Sequence, residues 1–373
     1  MPNSKLGWGG TLADKASKIQ RRLSKIKRLG RVVLGRVLSP VWSRVSPWII
    51  RAENGPQPQR KKVAIFLIFA PGGVPPSLWL TVEQVQAMGY AILFVVNGAV
   101  PEADAARLVA QSWRLLRRPN LGYDFGGYRD AVLHLMRWGV SPERMMFVND
   151  TFWSSAVAGP SSLAALDAID APYAALCSFT YRPRGSRPKE LVRRIYGCSF
   201  GFVVDKSVIT SAAFQEFWRT MRLYEDKEDV VRYGEVGFSH AMMAAGFTPQ
   251  FVLDQARVLD EIRSMPDAEV ARLFNLLPVL SSANRLRHES CSEEMARRPA
   301  DLAELRALVV EMAEVMNPWD TYACYGLLAG RVDFIKKSNF KSRGNARRLL
   351  EMTEGCGVTL TALVRQELLA RAN

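Results

Sequence analysis

The sequence has few residues of the kinds that build zinc centres. Only three histidines occur in 373 residues, and none stands at an HExxH or Cys/His ligand spacing. The five cysteines are odd in number, widely spaced and without a CxxC pair. This scarcity excludes zinc sites of these types and predicts reduced thiols in a cytosolic protein. The residues concerned are His134, His240, His288, Cys177, Cys198, Cys291, Cys324 and Cys356.

Long apolar runs are also missing. The longest in the body of the chain extends from Val63 to Ala70, which is eight residues. A transmembrane helix needs about 20. The chain start is basic but is not followed by the uninterrupted apolar core of a secretory signal. The sequence therefore predicts a cytoplasmic protein that does not span a membrane.

Acidic residues are nearly absent from the first part of the chain. Residues 1–62 contain 15 Lys and Arg but only Asp14 and Glu53 as acids, a net charge of +13. The other 311 residues hold 35 basic and 34 acidic residues, a net charge of +1. A nearly neutral body argues against a broad nucleic-acid surface. We therefore expect no nucleic-acid partner, and a basic N-terminal arm with a separate role.

The arm has the pattern of an amphipathic helix. Apolar residues recur at spacings of three and four within residues 15–38, and basic residues cover much of the remaining surface. Trp42 and Trp48 follow, beside Arg44. Such segments suit an anionic membrane surface, where each Lys or Arg contributes about 1 kcal/mol. We predict that residues 15–50 bind such a surface; packing on the body and nucleic-acid binding are the alternatives. The apolar stripe is Ile19, Leu23, Ile26, Leu29, Val33 and Val37.

After a linker predicted from Glu53 to Arg60, strands and helices alternate. Strand patterns at 63–69, 91–96, 113–116 and 145–148 are separated by helical patterns at 77–88, 102–111 and 127–138. This alternation predicts an α/β fold with a mostly parallel sheet flanked by helices. We predict three regions: a basic arm and linker at 1–60, the α/β domain at 61–258, and a mainly helical region at 259–373 packed on that domain.

Three polar clusters follow strands or open helices in the predicted domain. The first runs from Asn120 to Asp130 between a strand and a helix, and its glycines would let the backbone approach a ligand closely. In open α/β sheets, ligands bind at the carboxyl ends of strands. The cluster therefore predicts either a phosphate-facing loop or a tight turn in which Asp124 caps the helix.

The second cluster is Asn149-Asp150-Thr151, directly after a predicted strand. A carboxylate beside another oxygen ligand can hold Mg²⁺ or Mn²⁺, which would bridge to substrate phosphates. The alternative is an Asx turn. The third cluster is Tyr233 to Ser239, which is predicted to open an apolar helix. Glu235 there is either a general base for an acceptor hydroxyl or a helix-terminal acid favoured by the dipole.

These segments together resemble the rhamnan synthesis protein F family of polysaccharide glycosyltransferases. Asn120-x-Gly122-x-Asp124-x-Gly126 is similar to its Asn-x-Gly-x-Asp loop, and Val148-Asn149-Asp150-Thr151 with Gly159-Pro160 to its Asn-Asp-Ser…Gly-Pro segment. Three further stretches, in the same order as in the family, complete the resemblance. They are Tyr196-Gly197-Cys198-Ser199-Phe200, Gly234-Glu235-x-Gly237-x-Ser239, and Asn317-Pro318 with Phe334-Ile335-Lys336-Lys337.

The resemblance covers residues 60–345 and implies a GT-A-like nucleotide-binding sheet, a nucleotide-sugar donor such as dTDP-L-rhamnose, and a lipid-linked glycan acceptor. The product would be a bacterial cell-surface polysaccharide: O-antigen, rhamnan or capsule. The enzyme would lie on the inner face of the cell membrane. Two other classes stay open: a non-catalytic scaffold recruited to the membrane by its arm, and a nucleotide-cofactor enzyme such as a methyltransferase.

With this resemblance we predict a role for each site residue. Glu235 would be the catalytic base, and Asp150 with Asn149 would hold a divalent cation, Mg²⁺ or Mn²⁺, on the donor diphosphate. Arg129 or the basic loop Arg182–Arg187 would offset diphosphate charge. The predicted donor-binding residues are Asn120, Gly122, Asp124, Gly126, Arg129 and Ser199.

Overall fold

The computed structural model describes residues 39–159, 161–181, 194–277, 303–316 and 318–373. The predicted amphipathic stripe of the arm and the basic loop Arg182–Arg187 lie outside these ranges. Within them, no helix combines the length and apolar character that crossing a bilayer requires.

The first half of the described chain alternates strands with helices, as the apolar runs and their Gly and Pro boundaries predict. Strands β2 and β3 are buried along almost their whole length, which is typical of the centre of a parallel sheet. The elements are α1 (residues 39–49), β1 (Arg51–Asn54), β2 (Lys62–Ile68), α2 (Pro76–Ala87), β3 (Tyr90–Asn97), α3 (Glu102–Ala110), β4 (Arg114–Arg118), α4 (Tyr123–Arg137), β5 (Arg144–Asn149), β6 (Phe152–Trp153) and α5 (Ser162–Asp167).

The next segment adds four strands and four α-helices, with a π-helical turn between the last two helices. Its elements are β7 (Tyr173–Tyr181), β8 (Arg194–Gly197), β9 (Gly201–Asp205), α6 (Lys206–Ile209), α7 (Ala212–Thr220), α8 (Lys227–Asp229), the π-helix Val230–Glu235, α9 (Val236–Ala244) and β10 (Gln250–Leu253). Helices α8 and α9 continue through the π-helix without a break.

Beyond β10 the described chain is helical apart from one short strand. The elements are α10 (Gln255–Ser264), α11 (Asp267–Leu276), α12 (Ala303–Glu311), the π-helix Met312–Met316, α13 (Pro318–Leu328), β11 (Ile335–Lys336), the 3₁₀-helix Lys337–Phe340, α14 (Arg343–Gly355) and α15 (Ala362–Ala372). Strand β11 pairs antiparallel with β6, which ties this region to the end of β5.

Nine of the described strands form one large sheet in the order β1-β4-β3-β2-β5-β9-β7-β10, with β8 paired to β7, and β6 and β11 form a separate pair. Strands β2, β3, β4, β5, β7 and β10 run in one direction, and β1, β8 and β9 run against them. The prediction of an α/β fold with a mostly parallel sheet flanked by helices is therefore confirmed.

The strand order reverses at β2. Strands β3 and β4 are added on one side of it, and β5 follows on the other side. Helix α4 connects β4 at one flank to β5 beyond β2, and it packs on β2 and β3. A reversal of this kind leaves a crevice at the carboxyl ends of the two strands, where ligands bind in open α/β sheets.

The segment before the domain differs from the prediction. Residues 39–49 form a helix packed on the body, and Trp42 is a member of its hydrophobic core. Residues Arg51–Asn54 form β1 and pair with β4, so the first two residues of the linker predicted from Glu53 to Arg60 belong to a strand. The apolar side chains Trp42 and Ile50 are buried, and this burial draws the segment onto the body. The folded body therefore begins at or before Ser39 and not near residue 61.

Candidate functional site

Asp150 lies at the strand reversal and connects its two strands. It follows β5 directly, and its Oδ2 accepts a hydrogen bond of 2.8 Å from the amide of Phe69, the residue after β2. Burial raises the pKa of Asp150, while this amide and the charge of Lys337 oppose the rise. The Phe69 side chain is 50% exposed at the same edge. The structure therefore places a partly buried carboxylate in the crevice that the sheet topology creates.

Asn149 joins the second polar cluster to the first. Its Nδ2 donates to Asp124 Oδ2 at 3.2 Å, so the end of β5 and the start of α4 meet. Its Oδ1 accepts from both the backbone N–H and the hydroxyl of Thr151, at 3.1 and 2.6 Å. The Asn149 side chain is buried. In the structure the Asn149 side chain therefore connects Thr151 to Asp124, and its role as a metal ligand stays a prediction.

Gly122 sets the direction in which α4 leaves the sheet. It is the N-cap of α4 with φ +73°, a left-handed conformation that favours glycine. Its N–H donates to Glu225 Oε1 at 2.9 Å, and a Cβ there would lie 2.9 Å from Leu223 Cδ2. Asp124 thereby falls in the first turn of α4, where the helix dipole favours a carboxylate. Gly122 acts through the backbone geometry that it allows.

Glu235 ends the π-helical turn between α8 and α9, so it lies within a continuous helix. The prediction that it stands at a helix start is wrong, and the helix dipole does not explain it. Burial, and after it the negative charge of Asp124, raise the pKa of Glu235 to about 7. The charge of Lys336 and a hydrogen bond with Ser199 oppose this rise. A carboxyl group that titrates near neutral pH suits general acid–base chemistry.

Tyr128 is a buried side chain on which the charges of all three carboxylates act. Its side chain is fully buried, and its hydroxyl donates to the Ser199 carbonyl oxygen at 3.0 Å. Burial raises the pKa of Tyr128 well above its ordinary value, and the charges of Asp124, Asp150 and Glu235 add to the rise. The three acids therefore come from three different elements and act on the same buried phenol. We call Asp124, Asp150 and Glu235 the carboxylate cluster.

Two lysines from the C-terminal region, Lys336 and Lys337, contact Thr151 just after the end of β5. Strand β11 pairs with β6, and the Lys337 N–H donates to the Thr151 carbonyl oxygen at 2.8 Å. The Lys336 Nζ lies 2.7 Å from Thr151 Oγ1 and 4.0 Å from the centre of the Phe200 ring. Lys337 is buried, and burial lowers its pKa. The sequence marks this Phe-Ile-Lys-Lys stretch only as a family signature and does not place it in the site.

Two other predicted donor-binding residues, Arg129 and Gly126, lie differently from what we expected. Arg129 is buried under α1, where it donates to Ser43 Oγ at 2.7 Å and pairs with Asp130. It points away from solvent and cannot reach a diphosphate at the sheet edge. The Gly126 amide is used within the helix, donating to the Gly122 carbonyl oxygen at 2.8 Å. A Cβ at Gly126 would lie 2.1 Å from the Leu121 oxygen, so the glycine serves packing and not ligand approach.

The two remaining predicted donor-binding residues do border the site. Asn120 is exposed and stands beside Gly98, at the end of β3. Ser199 is buried, accepts from Tyr128 through its carbonyl oxygen, and bonds to Glu235 through its side chain. Asn120 is thus accessible to a ligand, whereas Ser199 acts by orienting Glu235.

The cluster fits a divalent cation only in part. Within the described ranges no three acidic, histidine or cysteine side chains are close enough together to hold a metal ion by themselves. The negative charge of Asp124 is near enough to contribute to the raised pKa of Asp150, and hard cations prefer such oxygen ligands. Mg²⁺ bound with nucleotides commonly uses one or two carboxylates, with phosphates and waters as its other ligands. The residues present fit that mode, with Asp124 and Asp150 as the two carboxylates.

One known protein aligns with more than half of the chain. A 235-residue alignment with the uncharacterized protein y4gN of Sinorhizobium fredii shows 28% identity. It covers 62% of this chain and 60% of the length of that relative.

Solved structures overlap with the chain only in part. A 4-diphosphocytidyl-2C-methyl-D-erythritol synthase shows 12% identity and a TM-score of 0.30, covering 52% of this chain and 89% of its own. The mannose-1-phosphate geranyltransferase of Thermus thermophilus shows 18% identity and a TM-score of 0.24, covering 44% of this chain and 55% of its own.

The family comparison covers the site itself. The sequence pattern of the family described as rhamnan synthesis protein F matches residues 92–272, a range that includes Asp124, Asp150 and Glu235. The lysines of β11 and its neighbour lie beyond the matched range. Over residues 92–272, the chain is thus a match to the rhamnan synthesis protein F family, as its motifs indicated.

Proposed function

We propose that this protein is a glycosyltransferase that moves a sugar from a nucleotide-sugar donor to a lipid-linked glycan in bacterial cell-surface polysaccharide synthesis. The observation that carries the proposal is the carboxylate cluster at the strand reversal, where Glu235 has a pKa of about 7. The family match supports a transferase of polysaccharide synthesis. The word rhamnan in the family's description makes L-rhamnose the first sugar to test.

The donor would lie across the carboxyl ends of β2, β3 and β5. Asn120 and the start of α4 border this edge, and the exposed ring of Phe69 adds an apolar surface. The hydrogen bond from Asn149 holds Asp124 toward the end of β5. These residues would position the diphosphate so that the anomeric carbon faces Glu235.

Glu235 would act as the general base. In its ionised form it takes the proton of the acceptor hydroxyl as that oxygen attacks the anomeric carbon. The new glycosidic C–O bond forms while the bond from the anomeric carbon to the diphosphate breaks, and the nucleoside diphosphate leaves. Ser199 keeps the carboxylate in place through its hydrogen bond. A divalent cation held by Asp124 and Asp150 would supply positive charge to the departing diphosphate.

The described part of the arm supports attachment to a membrane surface. Helix α1 buries Trp42 but leaves Val41, Trp48 and Ile49 exposed, and Trp48 is 88% exposed. Positions seven and eight apart lie on one side of a helix. Arg44 and Arg51 are exposed nearby. We infer that this apolar side enters the interface of an anionic membrane while the arginines meet lipid phosphates, which would keep the enzyme beside a lipid-linked acceptor.

Donor binding tests the proposal directly. Thermal unfolding of the full chain would be followed with dTDP-L-rhamnose and a panel of other nucleotide-sugars, each with Mn²⁺ or Mg²⁺. A ligand that binds only the folded state raises the midpoint in a concentration-dependent way. We expect one nucleotide-sugar to stabilise wild-type protein and to lose this effect in Asp124→Asn. A panel without any shift, combined with a shift by S-adenosylmethionine, would point to a methyltransferase instead.

A further inference from the structure

The strand pair β6–β11 brings a lysine into the site from a region that the family match does not cover. Lys336 lies on β11 opposite Phe152, and its side chain reaches Thr151, two residues after Asn149. The hydrogen bonds form a chain: Lys336 Nζ donates to Thr151 Oγ1 at 2.7 Å, and that hydroxyl donates to Asn149 Oδ1 at 2.6 Å. Asn149 in turn donates to Asp124. These hydrogen bonds therefore connect the Lys336 ammonium group to Asp124, a member of the carboxylate cluster.

The two neighbouring lysines differ in access. Lys337 is 7% exposed, and its Nζ lies 5.8 Å from the centre of the Trp153 ring. Lys336 is partly exposed, and its charge acts on Glu235. A buried ammonium can balance carboxylates inside the protein but cannot meet an entering ligand. Lys336 is accessible to a ligand and is hydrogen-bonded to Thr151 just after the end of β5, as a contact with the substrate requires.

The charges of the carboxylate cluster and of a bound diphosphate indicate a role for Lys336. A diphosphate brought to Asp124, Asp150 and Glu235 would be repelled by three acids unless positive charge is present at the same edge. Arg129, the arginine predicted for this task, is buried under α1. An ammonium group near the phosphates provides that charge, and a hydrogen bond to a charged group is among the stronger ones in proteins.

We propose that Lys336 binds the diphosphate group of the donor and stabilises the departing nucleoside diphosphate. The inference rests on the proposed function in its choice of donor, but the diphosphate contact can be tested without any sugar. As the bond to the anomeric carbon breaks, negative charge grows on the diphosphate oxygen that leaves. An ammonium fixed by Thr151 and the Phe200 ring needs little rearrangement to meet that charge.

The test is calorimetric binding of inorganic pyrophosphate, dTDP, UDP and the matching nucleosides to the full chain. Lys336→Gln should weaken pyrophosphate and nucleoside diphosphate binding roughly ten- to a hundredfold, as expected for the loss of a charged hydrogen bond. Nucleoside binding should not change. Lys336→Arg should keep most of the affinity because it keeps the charge. Lys341→Gln, an exposed site five residues later, removes the same charge outside the site and should have no effect.

Fold integrity is followed by thermal unfolding of every variant. If Lys336→Gln does not fold, Lys336→Met replaces it in the binding experiment. The methionine keeps an aliphatic chain over the Phe200 ring. Equal pyrophosphate binding by wild type and both neutral variants would overturn the inference and leave the proposed function standing. Lysine-dependent pyrophosphate binding without any nucleotide-sugar binding would support the inference while contradicting the proposed function. A wild-type chain that binds neither ligand would overturn both.

Discussion

The indole N–H of Trp42 donates to both carboxylate oxygens of Asp130, at 3.2 and 3.0 Å. Asp130 also pairs with Arg118 at 2.8 Å, and all three side chains are buried. Helix α1 is thus fixed to α4, the helix that begins beside Asp124. The N-terminal arm contacts the body here. We expect loss of this contact to disturb α4 and with it the position of Asp124.

The stability of an N-terminally truncated chain should therefore depend on whether the truncation removes α1. Removing residues 1–38 keeps every described contact of α1 with the body, and we expect the unfolding temperature to stay close to that of the full chain. Removing residues 1–58 also removes Trp42, Ser39 and β1, and we expect an unstable product, in contrast to what a separate arm of 1–60 implies. Trp42→Ala alone should cost about 3–5 kcal/mol of unfolding free energy. Chemical denaturation measures each value, and equal stability of the two truncations would contradict this prediction.

The activity of the enzyme should depend on the ionisation of Glu235. Its pKa of about 7 means that the base form increases as pH rises through neutrality. We expect kcat/KM to rise with pH between about 6 and 8. Glu235→Gln should lower turnover by about 10²–10⁴-fold, remove this dependence, and leave donor affinity nearly unchanged. A loss confined to donor affinity would make Glu235 a binding residue.

The same variant has a second readout that needs no substrate. Because the folded-state pKa of Glu235 lies above its usual value of 4.5, the folded protein holds this proton more tightly than the unfolded chain. The contribution of Glu235 to the unfolding free energy of the wild type is fully present below about pH 4.5. It is lost as pH rises through about 7. Glu235→Gln lacks this loss, so its stability relative to wild type should increase between about pH 5 and pH 8. Denaturant titrations of the wild type and Glu235→Gln at about pH 5 and pH 8 would measure this difference in unfolding free energy. A difference that falls with pH would contradict the prediction.

Asp150→Asn should remove cation-dependent turnover while the fold persists. The asparagine oxygen can still accept from the Phe69 amide, and burial already disfavours the charged form of Asp150. Asp104→Asn is a matched control, because Asp104 accepts from the Val74 amide at 2.9 Å outside the cluster. Activity would be titrated with Mn²⁺ at saturating donor. Full turnover by Asp150→Asn would remove Asp150 from the cation site.

Membrane attachment should depend on the exposed side of α1. Trp48→Ser should reduce co-sedimentation with vesicles that contain anionic lipid, because the indole ring favours the interface. Leu369→Ser, at an exposed apolar position on α15, is the control and should bind as wild type does. Binding should weaken as salt rises, since charges are screened within about 8 Å at physiological ionic strength. Equal sedimentation of both variants and of the chain without residues 1–38 would exclude α1 and the arm as the membrane contact.

From β2 to β5 the sequence alone predicted the order of strands and helices, and it also singled out Asp124 and Asp150. Buried parallel strands such as β2 and β3 are apolar along their length, and each ends at glycine, proline or polar residues, so local pattern and structure agree. Asp124 and Asp150 follow β4 and β5, which run parallel to β2 and β3. The carboxyl ends of parallel strands meet at one edge, and the local sequence therefore already indicated where these two acids would come together.

Only the tertiary structure decided which neighbours those acids have. Arg129 stands five residues after Asp124 in the sequence, yet the turn of α4 directs it beneath α1. Lys336 stands more than 180 residues after Asp150, yet the pairing of β11 with β6 places it at the cluster. Helix rotation and non-local strand pairing are set by burial across the whole domain, and no local pattern carries that information. The raised pKa of Glu235 has the same origin, because it comes from surroundings built by separate segments of the chain.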